Sequence, residues 1–262
     1  MSNHLFSMLD KICVITGGSR GLGKAMATAF LQAGAKRVYV TARRADECAQ
    51  AAEELSALTE DGECIAFPGD MSSPEGIKAF VDHIASNESH IDVLVNNAGT
   101  AWVAPFGAFP EKGWDKVMDL NVKTPFFLTQ QLLPLLKAGA TAANTASVIN
   151  IGSVAGLMGN AGSGLSYSVS KSAIHQLTRN LANMLADDNV RVNAIAPGRF
   201  HSKMTSTVEQ DQAQYEHEIQ IIPLHRWGRD EDIMGPALLL ASNAGAFITG
   251  EIITVDGGTT VI

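Results

Sequence analysis

Lys11-Ile12-Cys13-Val14-Ile15, followed at once by Thr16-Gly17-Gly18-Ser19-Arg20-Gly21-Leu22-Gly23, is the stretch that decides the fold. The first five residues read as a short buried strand, apolar from Ile12 to Ile15. Beyond the glycines, Leu22, Ala25, Met26, Ala29, Phe30 and Ala33 recur at helical spacing, and Gly34 stands where a helix C′ residue belongs. Strand, glycine turn and helix together are the setting of a dinucleotide-binding loop. Glycines let backbone N–H groups approach a pyrophosphate, and the helix N-terminus offers it partial positive charge. The spacing is TGxxxGxG rather than GxGxxG, and a glycine loop alone is also a tight strand-to-helix turn. The flanking elements in register favour nucleotide binding, with Gly17, Ser19, Arg20, Gly21, Leu22 and Gly23 as its contacts.

The next apolar run, Val38-Tyr39-Val40, ends in Thr41-Ala42-Arg43-Arg44. A site for NAD usually places Asp or Glu here, about 20 residues past the glycines, to accept from the ribose 2′-OH. This chain offers Ala42, then Arg43 and Arg44, with Arg20 in the glycine loop. Guanidinium groups suit a 2′-phosphate through paired, charge-assisted bonds. A solvated basic loop before a helix is the plainer reading. The missing acid and the added bases agree, however, and favour NADP(H) over NAD(H).

Outward from these two turns the pattern repeats. Asp46–Leu58 reads as a helix and Cys64–Phe67 as a strand, closed by Pro68-Gly69-Asp70. Asp70, with Met71 beside it, either meets the adenine or caps the helix that Ser73-Pro74 opens. Ile91–Val95 is a fourth strand leading into Asn96-Asn97-Ala98-Gly99, small residues and amides that suit a backbone lying against a cofactor, or a turn. A helical region from Glu111 to Lys137 is interrupted by Pro125 and Pro134 and carries Asn121, whose side chain or released carbonyl is suited to holding a water. Ala138–Ala146 reads as a small-residue loop. The run Val148, Ile149, Ile151 is a fifth strand, and Arg191–Ala196 a sixth, ended by Pro197-Gly198. Arg199–Trp227 has weak periodicity and reads as a substrate loop with a short helix. Asp230–Ala241 is a helix, and Glu251–Val255 a seventh strand before Asp256-Gly257-Gly258. Strands alternating with helices imply an α/β Rossmann-type, doubly wound parallel sheet with ligands at the strands' carboxyl ends. Residues 1–262 show no repeat or domain boundary and read as one domain.

The chemistry lies in Ser153, just past the fifth strand, and in Tyr167-Ser-Val-Ser-Lys171, placed near the tail of a helix. Tyr167 and Lys171, four apart, share a helix face. An ammonium beside a phenol favours the phenolate and lowers the tyrosine pKa from about 10. Such a phenol exchanges a proton with a small oxygen near neutral pH, and the Ser153 hydroxyl bonds the same oxygen. That machinery interconverts a carbonyl and an alcohol if hydride is supplied. Trp102, Val103, Phe106, Phe109, Met204, Tyr215, Ile219, Ile222 and Trp227 are candidate pocket walls, each individually as consistent with core packing.

Composition narrows the alternatives. The net charge of −8 argues against nucleic acid or an anionic membrane as the main partner. Cys13, Cys48 and Cys64 are scattered without a CxxC pair, so no disulfide framework or zinc site is indicated, and the histidines show no ligand spacing. No run is long enough for a signal peptide or a membrane span, which makes a cytoplasmic enzyme the expectation.

Thr16-Gly-x3-Gly21-x-Gly23, Asn96-Asn-Ala-Gly99, Asn121, Ser153, Tyr167-x3-Lys171 and Pro197-Gly198 together resemble the ordered motifs of the short-chain dehydrogenase/reductase family, over nearly the whole chain. Pro197-Gly-Arg-Phe-His-Ser-Lys-Met-Thr205 and Arg226-Trp-Gly-Arg-Asp-Glu-Asp232 look most like the 3-oxoacyl thioester reductases, notably their rhamnolipid-pathway branch. The resemblance implies that Tyr167 is the general acid, that Lys171 binds the nicotinamide ribose, that Ser153 orients the carbonyl and that Asn121 holds a relay water. It implies cofactor contacts from Asn97, Ala98, Gly99, Pro197, Gly198, Phe200 and Ser202, the last where the family commonly has Thr. It also implies a homotetramer, with Asp256–Gly258 near one interface. Tyr167 lies one position farther from Ser153 than the family spacing, and the loop bearing Leu157 and Met158 is expected to shape the pocket. Pro134 replaces a basic residue that carrier-protein reductases tend to use for docking, although Arg179 remains. With the negative net charge, this speaks against an acidic carrier protein. The expected activity is reduction of an apolar or bulky ketone, a 3-oxoacyl thioester included. The alternatives are an NAD-linked alcohol or sugar dehydrogenase and a catalytically silent nucleotide-binding regulator.

Overall fold

The computed structural model describes residues 5–159, 164–202 and 205–261. Among them, seven strands form one parallel sheet: β1 (Ile12–Ile15), β2 (Arg37–Ala42), β3 (Glu63–Pro68), β4 (Val93–Asn96), β5 (Ala146–Ile151), β6 (Val190–Pro197) and β7 (Ile252–Val255), in the order β3-β2-β1-β4-β5-β6-β7. The chain runs outward from β1 to β3, returns to the far side of β1 and runs outward again to β7. The reversal opens a crevice between the carboxyl ends of β1 and β4, where open α/β sheets bind ligands.

Both faces of the sheet are buried, and alternation along β1 shows how. Cys13 and Ile15 face α1 (Gly21–Gln32) and α9 (Asp230–Ala241), packing with Met26, Phe30, Ile233 and Leu240. Ile12 and Val14 face α3 (Pro74–Asn87) and α5 (Thr124–Gly139), packing with Phe80, Ile84, Leu128 and Leu132. An apolar run with no polar alternation is therefore what a central parallel strand requires. Each such side chain, fully buried, contributes roughly 1.5–3 kcal/mol of transfer free energy.

Helix boundaries follow local chemistry. Gly34, at φ +100°, takes the left-handed conformation that closes α1. Ser73, not Asp70, caps α3, accepting from the Gly76 amide at 3.0 Å, with Pro74 in the first turn. Asp70 instead accepts from the Ser72 amide and hydroxyl at 3.0 and 2.8 Å. The expected helix across residues 111–137 divides into α4 (Glu111–Met118), a π-helical turn (Asp119–Lys123) and α5, with Pro125 at the start of α5 and Pro134 inside it. Residues 199–227 contain two helices where one was expected, α7 (Ser206–Gln210) and α8 (Gln212–Ile221), because Asp211 caps the second by accepting from the Gln214 amide at 3.1 Å. No helix of the described residues is long and apolar enough to cross a membrane.

Candidate active site

Ser153 stands two residues past β5, buried, with its Oγ accepting from the Ala155 amide at 3.1 Å. Tyr167 and Lys171 lie in the opening turns of α6 (Leu165–Leu185), not at a helix's tail, so the pair sits beside the strand ends. The Ser153 hydroxyl stands close enough to the Tyr167 phenol to pull its pKa down. Lys171 Nζ donates to the Ile151 carbonyl at 2.7 Å and lies 5.5 Å from the centre of the tyrosine ring. Asn121, in the π-helical turn, is fully used by its neighbours. Its Nδ2 donates to the Thr100 carbonyl and the Ser170 hydroxyl, both at 2.9 Å, and its Oδ1 accepts from the Thr100 amide at 2.8 Å. The side chain is thus a strut between the β4 loop and α6. Of the two expected water-holding groups, only the backbone carbonyl remains, and Pro125, four residues on, has no N–H to give it.

The electrostatics differ from the expectation in one respect. Burial pushes the Tyr167 phenol above its ordinary range, and the nearby Ser153 hydroxyl and the charge of Arg199 pull against that rise without overcoming it. The sequence spacing suggested the opposite shift, driven by Lys171. Desolvation outweighs it here, and the ammonium is turned to a carbonyl rather than to the phenol. Lys171 itself is pulled down from 10.5 to about 8 by burial. One turn further along α6, His175 is lowered to about 4, chiefly by burial and then by the Lys171 charge.

The glycine loop occupies the crevice. Gly17 and Gly21 have φ of +68° and +52°, a conformation that glycine adopts without strain. A Cβ at Gly23 would strike the Gly17 carbonyl and the Asn97 amide, so the helix must start with a bare backbone here. Asn97 Nδ2 donates to the Thr16 and Gly17 carbonyls at 2.8 and 3.0 Å, and Thr16 Oγ1 accepts from the amides of Asn97 and Ala98, each at 3.0 Å. The Asn96–Gly99 segment is therefore welded to the glycine loop. A Cβ at Gly99 would sit 3.7 Å from Lys171 Nζ, which joins this crevice to the Tyr167 cluster.

At the end of β2, Arg44 and Arg20 both pair with Glu47, the latter at 3.5 Å. Arg43 is exposed, and its charge adds to the Ser72 amide, the chief cause, in lowering the carboxyl of Asp70. The Arg20 and Arg44 guanidinium groups thus meet at Glu47, just past the end of β2 where Arg43 also stands. Met71 is buried, its carbonyl accepting from Thr124 Oγ1 at 2.6 Å. At the end of β6, Pro197 and Gly198 lead to Phe200, buried and bridged to Gly228, and to Ser202, whose amide donates to Thr205 Oγ1 at 3.0 Å.

Known proteins resemble this chain in sequence and in fold. The family described as Enoyl-(Acyl carrier protein) reductase matches residues 17–260. A rhamnolipids biosynthesis 3-oxoacyl-[acyl-carrier-protein] reductase of Pseudomonas aeruginosa is 46% identical over 253 residues, 97% of each chain. A structure of the Pseudomonas aeruginosa RhlG/NADP active-site complex superimposes with a TM-score of 0.93 at 45% identity, covering 97% of this chain and 98% of that one. The chain belongs to the short-chain dehydrogenase/reductase family. A 2-dehydro-3-deoxy-D-gluconate 5-dehydrogenase of Escherichia coli is 36% identical over 256 residues, 97% of this chain and 96% of the relative. As a member of this family, the protein is an oxidoreductase acting on CH–OH and C=O groups, and the neighbour superimposed above is a complex with NADP. The residues present fit that group: bare backbone at the glycine loop for a pyrophosphate, and Arg20, Arg43 and Arg44 for a 2′-phosphate.

The expected pocket walls divide. Val103 and Phe106 are 72% and 85% exposed, so they form a rim at most. Trp102 is packed flat against Gly113. Trp227 and Ile222 are buried, and Tyr215 stands edge-on to Trp227, with ring centres 4.9 Å apart. Ile219 is half-buried on the same helix, and Met204 lies outside the described residues. Two charged residues of the site escaped the sequence reading. Arg199 is close enough for its charge to act on Tyr167, and it pairs with Glu218 of α8 at 2.8 Å. The position of Arg199 directly after Pro197-Gly198, at a strand's carboxyl end, was the available signal. For Glu218 it was the helical spacing with Tyr215 and Ile222.

Proposed function

We propose that the protein is an NADPH-dependent ketone reductase whose substrate is apolar or bulky around the carbonyl, a 3-oxoacyl thioester being one such ketone. NADPH, when bound, supplies the hydride. Ser153 donates to the carbonyl oxygen and fixes its position, and Tyr167 delivers the proton. The observation that carries this reading is the gathering of Ser153, Tyr167 and Lys171 at the strand ends, where burial raises the Tyr167 phenol. The phenol stays protonated at neutral pH and is therefore poised as an acid rather than as a base. Lys171, tethered to Ile151, holds its ammonium beside the crevice, where a ribose hydroxyl would meet it. The Asn121 carbonyl is the group offered to a relay water.

Supporting the substrate class are the aromatic and aliphatic side chains of residues 199–227, read as a substrate loop over the site, and the 3-oxoacyl reductase among the relatives. Exposed Phe126, Phe127 and Met184 on α5 and α6 support the further reading that copies of the chain assemble, as the homotetramer expected for the family would require. Replacing Tyr167 with Phe tests the function. NADPH binding followed by fluorescence should persist, while ketone-dependent NADPH oxidation should fall by about 10²- to 10⁴-fold. Near-normal turnover in that variant would remove Tyr167 as the acid.

A further inference from the structure

α8 exposes Gln212, Gln214, Glu216, His217 and Gln220 and turns Tyr215 and Glu218 inward, with Ile222 buried just past its end. Glu218 is thus a carboxylate on an otherwise uncharged buried face, with its side chain 9% exposed. One of its oxygens receives the Arg199 guanidinium at 2.8 Å, and the other, Oε2, is buried without a hydrogen-bond partner. Buried carboxylate oxygens are rarely left so, because each costs desolvation that nothing repays.

The place of Arg199 explains what this carboxylate controls. Ile195 of β6 lies opposite Ile151 of β5, and the Gly152 amide donates to the Ile195 carbonyl at 2.7 Å. Ser153 and Arg199 therefore emerge from adjacent strand ends on the same rim of the sheet. The Arg199 backbone is held there by the Gly228 amide, which donates to its carbonyl at 2.8 Å. A guanidinium carried on this rim, its charge felt at Tyr167, would ordinarily select an anionic substrate. Glu218 has taken that role within the chain itself. A substrate carboxylate entering here would meet the Glu218 charge as well as the Arg199 charge, and displacing Glu218 would strand it in a buried position.

We propose that Glu218 sets the charge selectivity of the site: by occupying Arg199 it denies that cation to a substrate carboxylate, so the enzyme accepts ketones that are uncharged around the carbonyl, esters and thioesters among them, and rejects oxo-carboxylates of the sugar-acid kind. This rests on the ketone-reductase reading for its turnover arm only. The test compares oxo-carboxylates with their own methyl esters as substrates for the wild type, Glu218→Gln and the double variant Arg199→Gln/Glu218→Gln. A parallel arm titrates hexanoate into each protein loaded with NADP⁺, which needs no hydride transfer. The wild type should favour the esters and bind hexanoate weakly. Glu218→Gln should raise the acid-to-ester ratio of kcat/KM and the hexanoate affinity, each by about tenfold or more, and the double variant should lose both gains. A wild type that already prefers the acids overturns the proposal, as does a Glu218→Gln protein that binds NADP⁺ normally but gains neither property. Should Glu218→Gln fail to bind NADP⁺, Arg199→Gln carries the test: with Glu218 left unneutralised it should disfavour acids further, and an unchanged or raised acid preference overturns the idea. Hexanoate binding that follows the expected pattern without any ketone turnover would sink the reductase reading and leave the charge assignment standing.

Discussion

Replacing Lys171 with Met is expected to stabilise the protein while abolishing its activity. Lys171 is 5% exposed, and burial pulls its ammonium from 10.5 down to about 8. Keeping it charged at pH 7 therefore costs the fold on the order of 3 kcal/mol. Part of what the charged form gains in return is the bond to the Ile151 carbonyl, worth about 1 kcal/mol, which Met cannot make. The net expectation is a stabilisation of about 2 kcal/mol at pH 7, or roughly 4–8 °C in the melting temperature of a chain this size. The sign with pH follows from proton counting. Between about 8 and 10.5 the unfolded lysine keeps its proton and the folded one has lost it, so wild-type stability rises with pH in that window. The advantage of the variant should accordingly shrink by about 2 kcal/mol between pH 7 and about pH 9.5. Urea denaturation of both proteins at the two pH values, without cofactor, measures this. A Lys171→Met protein clearly less stable at pH 7, or an advantage that does not change with pH, would refute the claim that burial dominates this site.

Arg43→Ser should weaken NADPH binding by about 10- to 100-fold and leave NADH nearly unchanged; equal loss for both, read from the two dissociation constants, would remove the 2′-phosphate role. Gly156→Ala should cut turnover more than stability. Its Cβ would lie 2.6 Å from the Lys171 carbonyl carbon and 2.7 Å from the Ser172 amide, both backbone, and would lever the Ser153 turn off α6. A cost of about 1–3 kcal/mol in denaturation and at least about a tenfold drop in kcat/KM are expected. Asp232→Asn should flatten the acid limb of the stability curve. Arg226 and the Arg229 amide hold the Asp232 carboxyl at about 2, so its contribution is present above about pH 4 and is lost as pH falls toward 2. Thermal melts of both proteins across that range decide it.

Much of this molecule is legible in its chain because a parallel sheet is simple to read. Continuous apolar runs such as Ile12–Ile15 mark central strands, Gly34 and the Ser73-Pro74 pair mark helix ends, and the sheet then gathers every strand's carboxyl end onto one rim. Order along the chain thereby became position in the site for the glycine loop, Asn97, Ser153 and Pro197. What stayed hidden was the environment. Spacing places Lys171 over Tyr167, but the sign of the phenol's shift depends on how much water the fold removes and on where the ammonium finds an acceptor, and Ile151 is twenty positions away in sequence. Asn121 was singled out by its setting in a helix. Only the contacts with Thr100 and Ser170 show that its amide is spent, leaving the carbonyl above Pro125 to act. Arg199 and Glu218 read separately as a loop cation and one acid among the polar residues of a short helix. Their pairing at a rim shared with Ser153 is a property of the sheet's register, which joins β5 to β6, and of the turn that folds α8 back. On the charge assignment proposed above, selectivity rests on a contact that neither strand nor helix pattern encodes by itself, whereas the reacting groups stand where one strand end and the first turns of the next helix place them.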